Sequence, residues 1–484
     1  MGLTVSELEE WDERIRELVA RFNLRCFPQE FEICDHNDML GYMAYSGMPS
    51  RYSHWSYGKN FERQKMMYDY GVSGLPYEMV INSNPCVAYL MRDNSDLLQI
   101  LTMAHVYGHN DFFANNFTFT SGTQAKHVLE KFKIHGSRID SYMEDPSIGL
   151  ELVEEAIDHA HAIGFQCQRN LAIKRLSQAE LVSRRLEKAA GNQDEYREIH
   201  PKKTYVQPDL SKVPLEPEEN LLLFIAENNP YLPEWKRDIL RIVDYEMKYF
   251  IPQMETKIMN EGWASYWHHR ILNQLDLPQG LNLEFIVRHN QVLRPSPGGL
   301  NPYHLGFIIW RDIERRWNLG DQIAKNSKED CEIAERDVFA MTPGRQKMFE
   351  VRESDRDTSF LRRFLTEDII RELSLFQHEK RGRERVITKV PDSENWQTIK
   401  ETLIKTVGAA SLPVIKIEDA DFDGNRTLFL KHYHDGRDLQ LDYAENTLKH
   451  VKSLWERRVV LDTIISGKPS LLKLVGETLK IERK

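Results

Sequence analysis

At 484 residues the chain is too long for one small core, so two or three domains are expected. Hydrophobic residues make up 41% and charged residues 29%, enough apolar material for a sizeable core, which excludes wholesale disorder. A net charge of -10 argues against a general nucleic-acid binder, and no apolar run approaches the roughly 20 residues that span a bilayer.

Met1 to Trp11 is acidic and lacks an apolar signal core, so nothing marks the chain for export and a cytoplasmic setting is expected. Cys26, Cys34, Cys86, Cys167 and Cys331 are odd in number and scattered, without a CxxC, which suits free thiols and excludes a cysteine zinc knuckle. Val5 to Phe22 reads as an amphipathic helix with its acidic residues early. The aromatic stretch GYMAYSGMPSRYSHWSYGKNFERQ follows, broken by Gly41, Gly47, Pro49 and Gly58. It reads as a long loop packed by its own aromatics, or as a pocket wall offering Arg51 and His54 to a substrate. Pro76 to Met91 predicts two short strands around a turn at Asn82-Ser83-Asn84-Pro85, with Glu78 in the first.

Ser95 to Asn116, SDLLQILTMAHVYGHNDFFANN, predicts a helix with a core-facing stripe through Leu98, Leu101, His105, Gly108 and Phe112. His109 follows His105 by one turn, and two imidazoles at that spacing can reach one metal ion. Thr123 to Phe132 is short and helical. Gly149 to Phe165 predicts a second helix of interest, with Leu150, Glu154, Ile157, Asp158, His161 and Phe165 on one face. Leu171 to Glu198 is highly charged, and Pro201, Pro208, Pro214 and Pro217 mark an exposed connector near 171–217. Helices then follow over Glu218 to Asn228, Glu234 to Tyr249 and Pro252 to Leu275. The last places Glu261 and His268, two turns apart, on a face shared with Met254, Ile258, Ser265 and Leu272. Gly298-Gly299 and Asn301-Pro302 form a turn and cap before a helix from Tyr303 to Trp317.

Asn318 to Lys380 is charged and helical, with a break at Thr342-Pro343-Gly344. Beyond Arg385 the order reads strand, helix, two strands, helix, strand, the βαββαβ arrangement of a ferredoxin-like domain. The turn DADFDGN between the middle strands resembles a calcium loop, but Leu430 stands where a bidentate Glu is required, so it reads as a plain hairpin turn. The expected fold class is therefore α+β, mainly α. It divides into a helical domain over 1–320, a charged helical linker over 321–382 and a ferredoxin-like domain over 383–470.

Isolated buried charges cost several kcal/mol each, so His105, His109, Glu154, Asp158, His161, Glu261 and His268 on apolar faces need an ion or one another. A divalent transition metal (zinc, iron or manganese) suits the donors; a hydrogen-bonded polar network is the alternative. No nucleotide-binding motif is present. In a zincin-like site His105, His109 and Glu261 would be primary ligands, with Asp158 and His161 as further ligands. Position 106 is Val where HExxH enzymes carry the general base, so Glu78, Glu154 or Asp111 would have to supply it, with His268 as an acid/base group. A di-metal carboxylate centre with redox chemistry is the other version; it lacks the ExxH pair of ferritin-like proteins, although Asp158 and His161 have that i,i+3 spacing.

The blocks GMPSRYSHWSYGKNF, YEMVINSNPCVAYLM, AHVYGHNDFFANN, NEGWASYWH, GGLNPYHLG, DTSFLRRFLTED and HDGRDLQLDYAENTLKHVKSLWERRVVLDT resemble the SpoVR family, the stage V sporulation protein R group, through most of the chain. The resemblance implies a cytoplasmic bacterial protein needed for spore cortex formation in endospore formers, with a broader stress role elsewhere. It also implies a shared pathway with a serine protein kinase and a von Willebrand-type protein, and transfers no activity. Two readings follow: a metal-dependent hydrolase, or a non-catalytic assembly or regulatory factor.

Overall fold

Every residue from Leu97 to Phe113 is buried, so the HxxxH helix is a core element on all sides rather than a striped surface helix. Ser95 caps it through Leu98 N, and it runs over Asp96–Asn115. In the computed structural model, residues 2–70, 74–190, 209–295, 299–320, 338–381, 384–390, 392 and 395–484 are described. Pro201, Pro208, Gly298, Cys331 and the charged stretch 321–337 lie outside them.

Contacts divide the chain into two units, each built from two segments. The first comprises Met1–Ser137 and Phe250–Ser411. Here the HxxxH helix packs against the helices Val5–Arg21, Lys257–Leu272 and Gln279–Val292. The Lys257–Leu272 helix in turn packs on Pro302–Leu319. Glycines permit these close crossings: a Cβ on Gly108 would lie 2.6 Å from Ala264 Cα, and one on Gly262 would lie 2.3 Å from the Gly306 carbonyl carbon. Asp357 fixes the start of the Glu261 helix by accepting from Ile258 N and Met259 N, each at 2.9 Å. A three-stranded sheet lies alongside. Gln29–Cys34 pairs parallel with Cys86–Met91, which pairs antiparallel with Glu78–Ile81, so the predicted strand pair forms and gains an unpredicted neighbour.

The aromatic stretch is largely helical rather than a long loop. Asp35 caps a helix over His36–Ala44 with a capping box to Asp38. His54 Nδ1 accepts from Ser56 N to start Trp55–Asp69.

The second unit comprises Arg138–Tyr249 and Leu412–Lys484. Its five-stranded sheet runs in the order Thr478–Arg483, Lys468–Val475, Val459–Ile465, Thr427–His432, Ile415–Phe422. Only the Thr427–His432 and Val459–Ile465 pair is parallel, bridged by the crossover helix Leu441–Trp455. Mainly α within α+β holds, but the ferredoxin-like order does not. The strand Glu384–Lys389 pairs instead with Gln377–Arg381 in a separate hairpin. The helix Trp396–Ile404 buries Ile399 and Ile404 in the first unit's core. Two C-terminal strands complete the sheet; their turns hold Ser466, Gly467 and Gly476 at positive φ. Asp423 and Gly424, also at positive φ, form the hairpin turn read from DADFDGN. Among the described residues no helix is long and apolar enough to cross a membrane.

Candidate metal centre

His105 and His109 present their Nε2 atoms on one side of the HxxxH helix, 3.8 and 3.5 Å from Glu261 Oε2. Ligands bound at about 2.0–2.2 Å in tetrahedral array around zinc stand about 3.3–3.6 Å apart, so these separations match a shared ion better than a hydrogen bond. Glu78, on its short strand, joins them: its carboxylate and the two imidazoles offer ligand atoms all within 4.8 Å of one another. Glu261 Oε2 is buried and accepts no hydrogen bond among the described residues.

The two carboxyls are driven apart. Burial pushes Glu78 up, and the His105 imidazole offsets this only in part. Burial also works against ionisation of Glu261, yet hydrogen bonding from His105, then the charges of His109 and His105, outweigh it and hold that carboxyl below its usual value. Burial, then the neighbouring His105, lowers His109 to about 4, so it is neutral at physiological pH. Glu261 Oε2 therefore faces a neutral His109 imidazole at 3.5 Å, with no hydrogen bond formed between them. A cation fits this arrangement.

The surroundings orient these groups. His109 Nδ1 lies 2.9 Å from Asn260 Oδ1; donation there leaves Nε2 with its lone pair toward Glu261. Tyr303, the second residue of the Pro302–Leu319 helix, hydrogen-bonds the Glu261 carboxylate, and that charge, then burial, pushes its phenol up. His268 is fully buried and bonds His105 rather than facing Glu261 directly.

Glu154, Asp158 and His161 sit half-buried on the helix Leu150–Ile163 in the second unit, whose core face is Val153, Ala156, Ile157, Ala160 and Ile163. Leu150 and Phe165, expected inside, are 52% and 42% exposed, so the predicted stripe is rotated off the core. Asp111 is excluded as a base: Arg352 donates to both oxygens at 2.7 Å, and Trp263 Nε1 and Arg25 N donate as well. Arg51 lies over the rings of Tyr57, Tyr52, Phe250 and Phe132, and His54 serves as a helix cap. Asn260, His289 and Tyr303 were not singled out from sequence, although Asn260 adjoins Glu261 and Tyr303 lies in the Asn301-Pro302 cap.

Fold and site together define a mainly helical protein with a buried cluster of two histidines and two carboxylates. The chain belongs to the SpoVR-like family: the SpoVR like protein model matches residues 3–412, and the SpoVR-like C-terminal domain model matches residues 413–466. It is 33% identical over 474 residues to the uncharacterized protein YcgB of Escherichia coli (strain K12), covering 93% of this chain and 90% of that one. No solved structure matches.

Proposed function

We propose that this SpoVR-like protein is a metal-dependent hydrolase, with a divalent transition metal held by His105, His109 and Glu261 and with Glu78 as general base. The observation that carries this reading is Glu261 Oε2, buried without a hydrogen-bond donor and facing two imidazole nitrogens at 3.5 and 3.8 Å. The opposite shifts of the two carboxyls support the division of roles. Glu261 stays ionised, as a ligand must; Glu78, pushed up, is suited to take a proton from water and return it to a leaving group.

The ion supplies Lewis acidity toward water and a scissile carbonyl. Glu78 does from a strand what a carboxylate at position 106 does in HExxH enzymes; Val106 is buried at that position. Tyr303 holds Glu261 in place and presents a phenol to the same space. The substrate class is an amide or peptide-like bond, in a cytoplasmic step of sporulation or of a stress response.

Elemental analysis of the chain purified without chelator tests this. About one zinc, iron or manganese per chain is expected, lost in a His105→Ala/His109→Ala double variant that keeps its helical content. A metal-free wild-type chain returns the protein to the assembly-factor reading.

A further inference from the structure

Three imidazoles from three helices form a chain behind the metal centre. His105 Nδ1 lies 2.9 Å from His268 Nδ1, and His268 Nε2 lies 2.8 Å from His289 Nδ1. All three rings are buried, at 4%, 0% and 7% exposure. A neutral imidazole carries one N–H, so each contact needs a donor on one side and an acceptor on the other. His268 uses both nitrogens and must donate through one and accept through the other. The chain therefore has two self-consistent directions. In one, His105 donates from Nδ1 and turns a bare Nε2 toward Glu261. In the other, the His105 proton sits on Nε2 and the lone pair needed for a ligand is gone.

His109 has no such choice, because an amide oxygen only accepts and Asn260 Oδ1 fixes its tautomer alone. The two candidate ligands of one helix are thus oriented by different devices, and the one on His105 can reverse.

We propose that His268, backed by His289, is a positioning residue that selects the His105 tautomer with a bare Nε2 and so completes the metal centre. The inference rests on the metal reading above. Loading the ion selects one direction of the chain: His105 donates to His268, and His268 donates to His289. Partners of this kind orient ligands elsewhere, and their loss weakens metal binding by about 10–100-fold.

Cobalt(II) titration of the full-length chain, followed by its visible absorption, tests the proposal. His268→Leu should weaken cobalt binding by about 10–100-fold. His268→Asn places an accepting oxygen near the lost Nδ1 and should stay within about threefold of wild type. That rescue separates tautomer selection from simple packing, and thermal midpoints of the metal-free proteins are compared alongside. If His268→Leu does not fold, His289→Leu decides, since it leaves the His105–His268 contact in place; a weakening of about threefold or more supports the chain. A folded His268→Leu, or failing that His289→Leu, with wild-type cobalt affinity overturns the proposal and leaves the metal reading standing. A wild-type chain that binds no cobalt overturns both.

Discussion

Glu261 decides the chemistry at the scale of single residues. A buried carboxylate oxygen that makes no hydrogen bond costs desolvation that a hydrogen-bonded network would have offset, and Oε2 faces two imidazole nitrogens at 3.5 and 3.8 Å. The buried histidines also predict how the metal-free chain responds to pH. Burial, then a neighbouring imidazole, lowers His109 to about 4 and His289 to about 3, against an ordinary 6.5. Below pH 6.5 the unfolded chain binds protons that the folded chain refuses. Stability present above pH 6.5 should therefore be lost as pH falls toward 4, by about 1.4 kcal/mol per pH unit for each histidine. Denaturant midpoints from pH 7 to 4.5 check this, and a flat profile would contradict the buried neutral rings. Asp111 and Arg352, both fully buried, belong to scaffold rather than site. Arg352→Met should destabilise by about 3–5 kcal/mol in chemical denaturation, because it strands a buried carboxylate.

At the scale of elements, the crossing of the HxxxH and Glu261 helices places the candidate ligands, and Gly108 sets how closely they approach. A methyl there would meet Ala264 backbone at 2.6 Å. Gly108→Ala should therefore cost about 1–3 kcal/mol and weaken metal binding by moving Glu261 away from the imidazoles. Gly41→Ala, in a helix with open space around the glycine, should be neutral or stabilising by up to about 1 kcal/mol. Thermal melts and metal titrations of the two variants separate the effects. Helical spacing made His105, His109, Glu261 and His268 legible, because His105 shares a face with Leu98, Leu101 and Phe112, His109 follows it by one turn, and Glu261 and His268 share a face with Ile258 and Leu272. The same rule misplaced Glu154, Asp158 and His161, because small Ala156 and Ala160 form the buried face while larger Leu150 and Phe165 stay exposed. His289 was hidden for a related reason. On Gln279–Val292 only Phe285 and His289 are buried, and Leu283, Ile286 and Val287 are 62%, 52% and 54% exposed, so three of its larger apolar residues point away from His289.

At the scale of the whole molecule, neither unit is a continuous piece of chain, and this limits what local pattern can reveal. The ferredoxin-like order followed from taking consecutive strands and helices as neighbours. The chain instead leaves Trp396–Ile404 in the first unit and closes the second unit's sheet with two later strands. The candidate metal centre likewise draws on positions 78, 105, 109 and 261, which only the folded first unit brings together. X-ray absorption at the edge of the ion bound by the full-length chain tests that convergence most directly. The account predicts a first shell with two imidazole nitrogens and at least one carboxylate oxygen at about 2.0–2.2 Å, with the imidazole scattering abolished by His105→Ala/His109→Ala. A shell of oxygens alone, or one unchanged in the double variant, would contradict it.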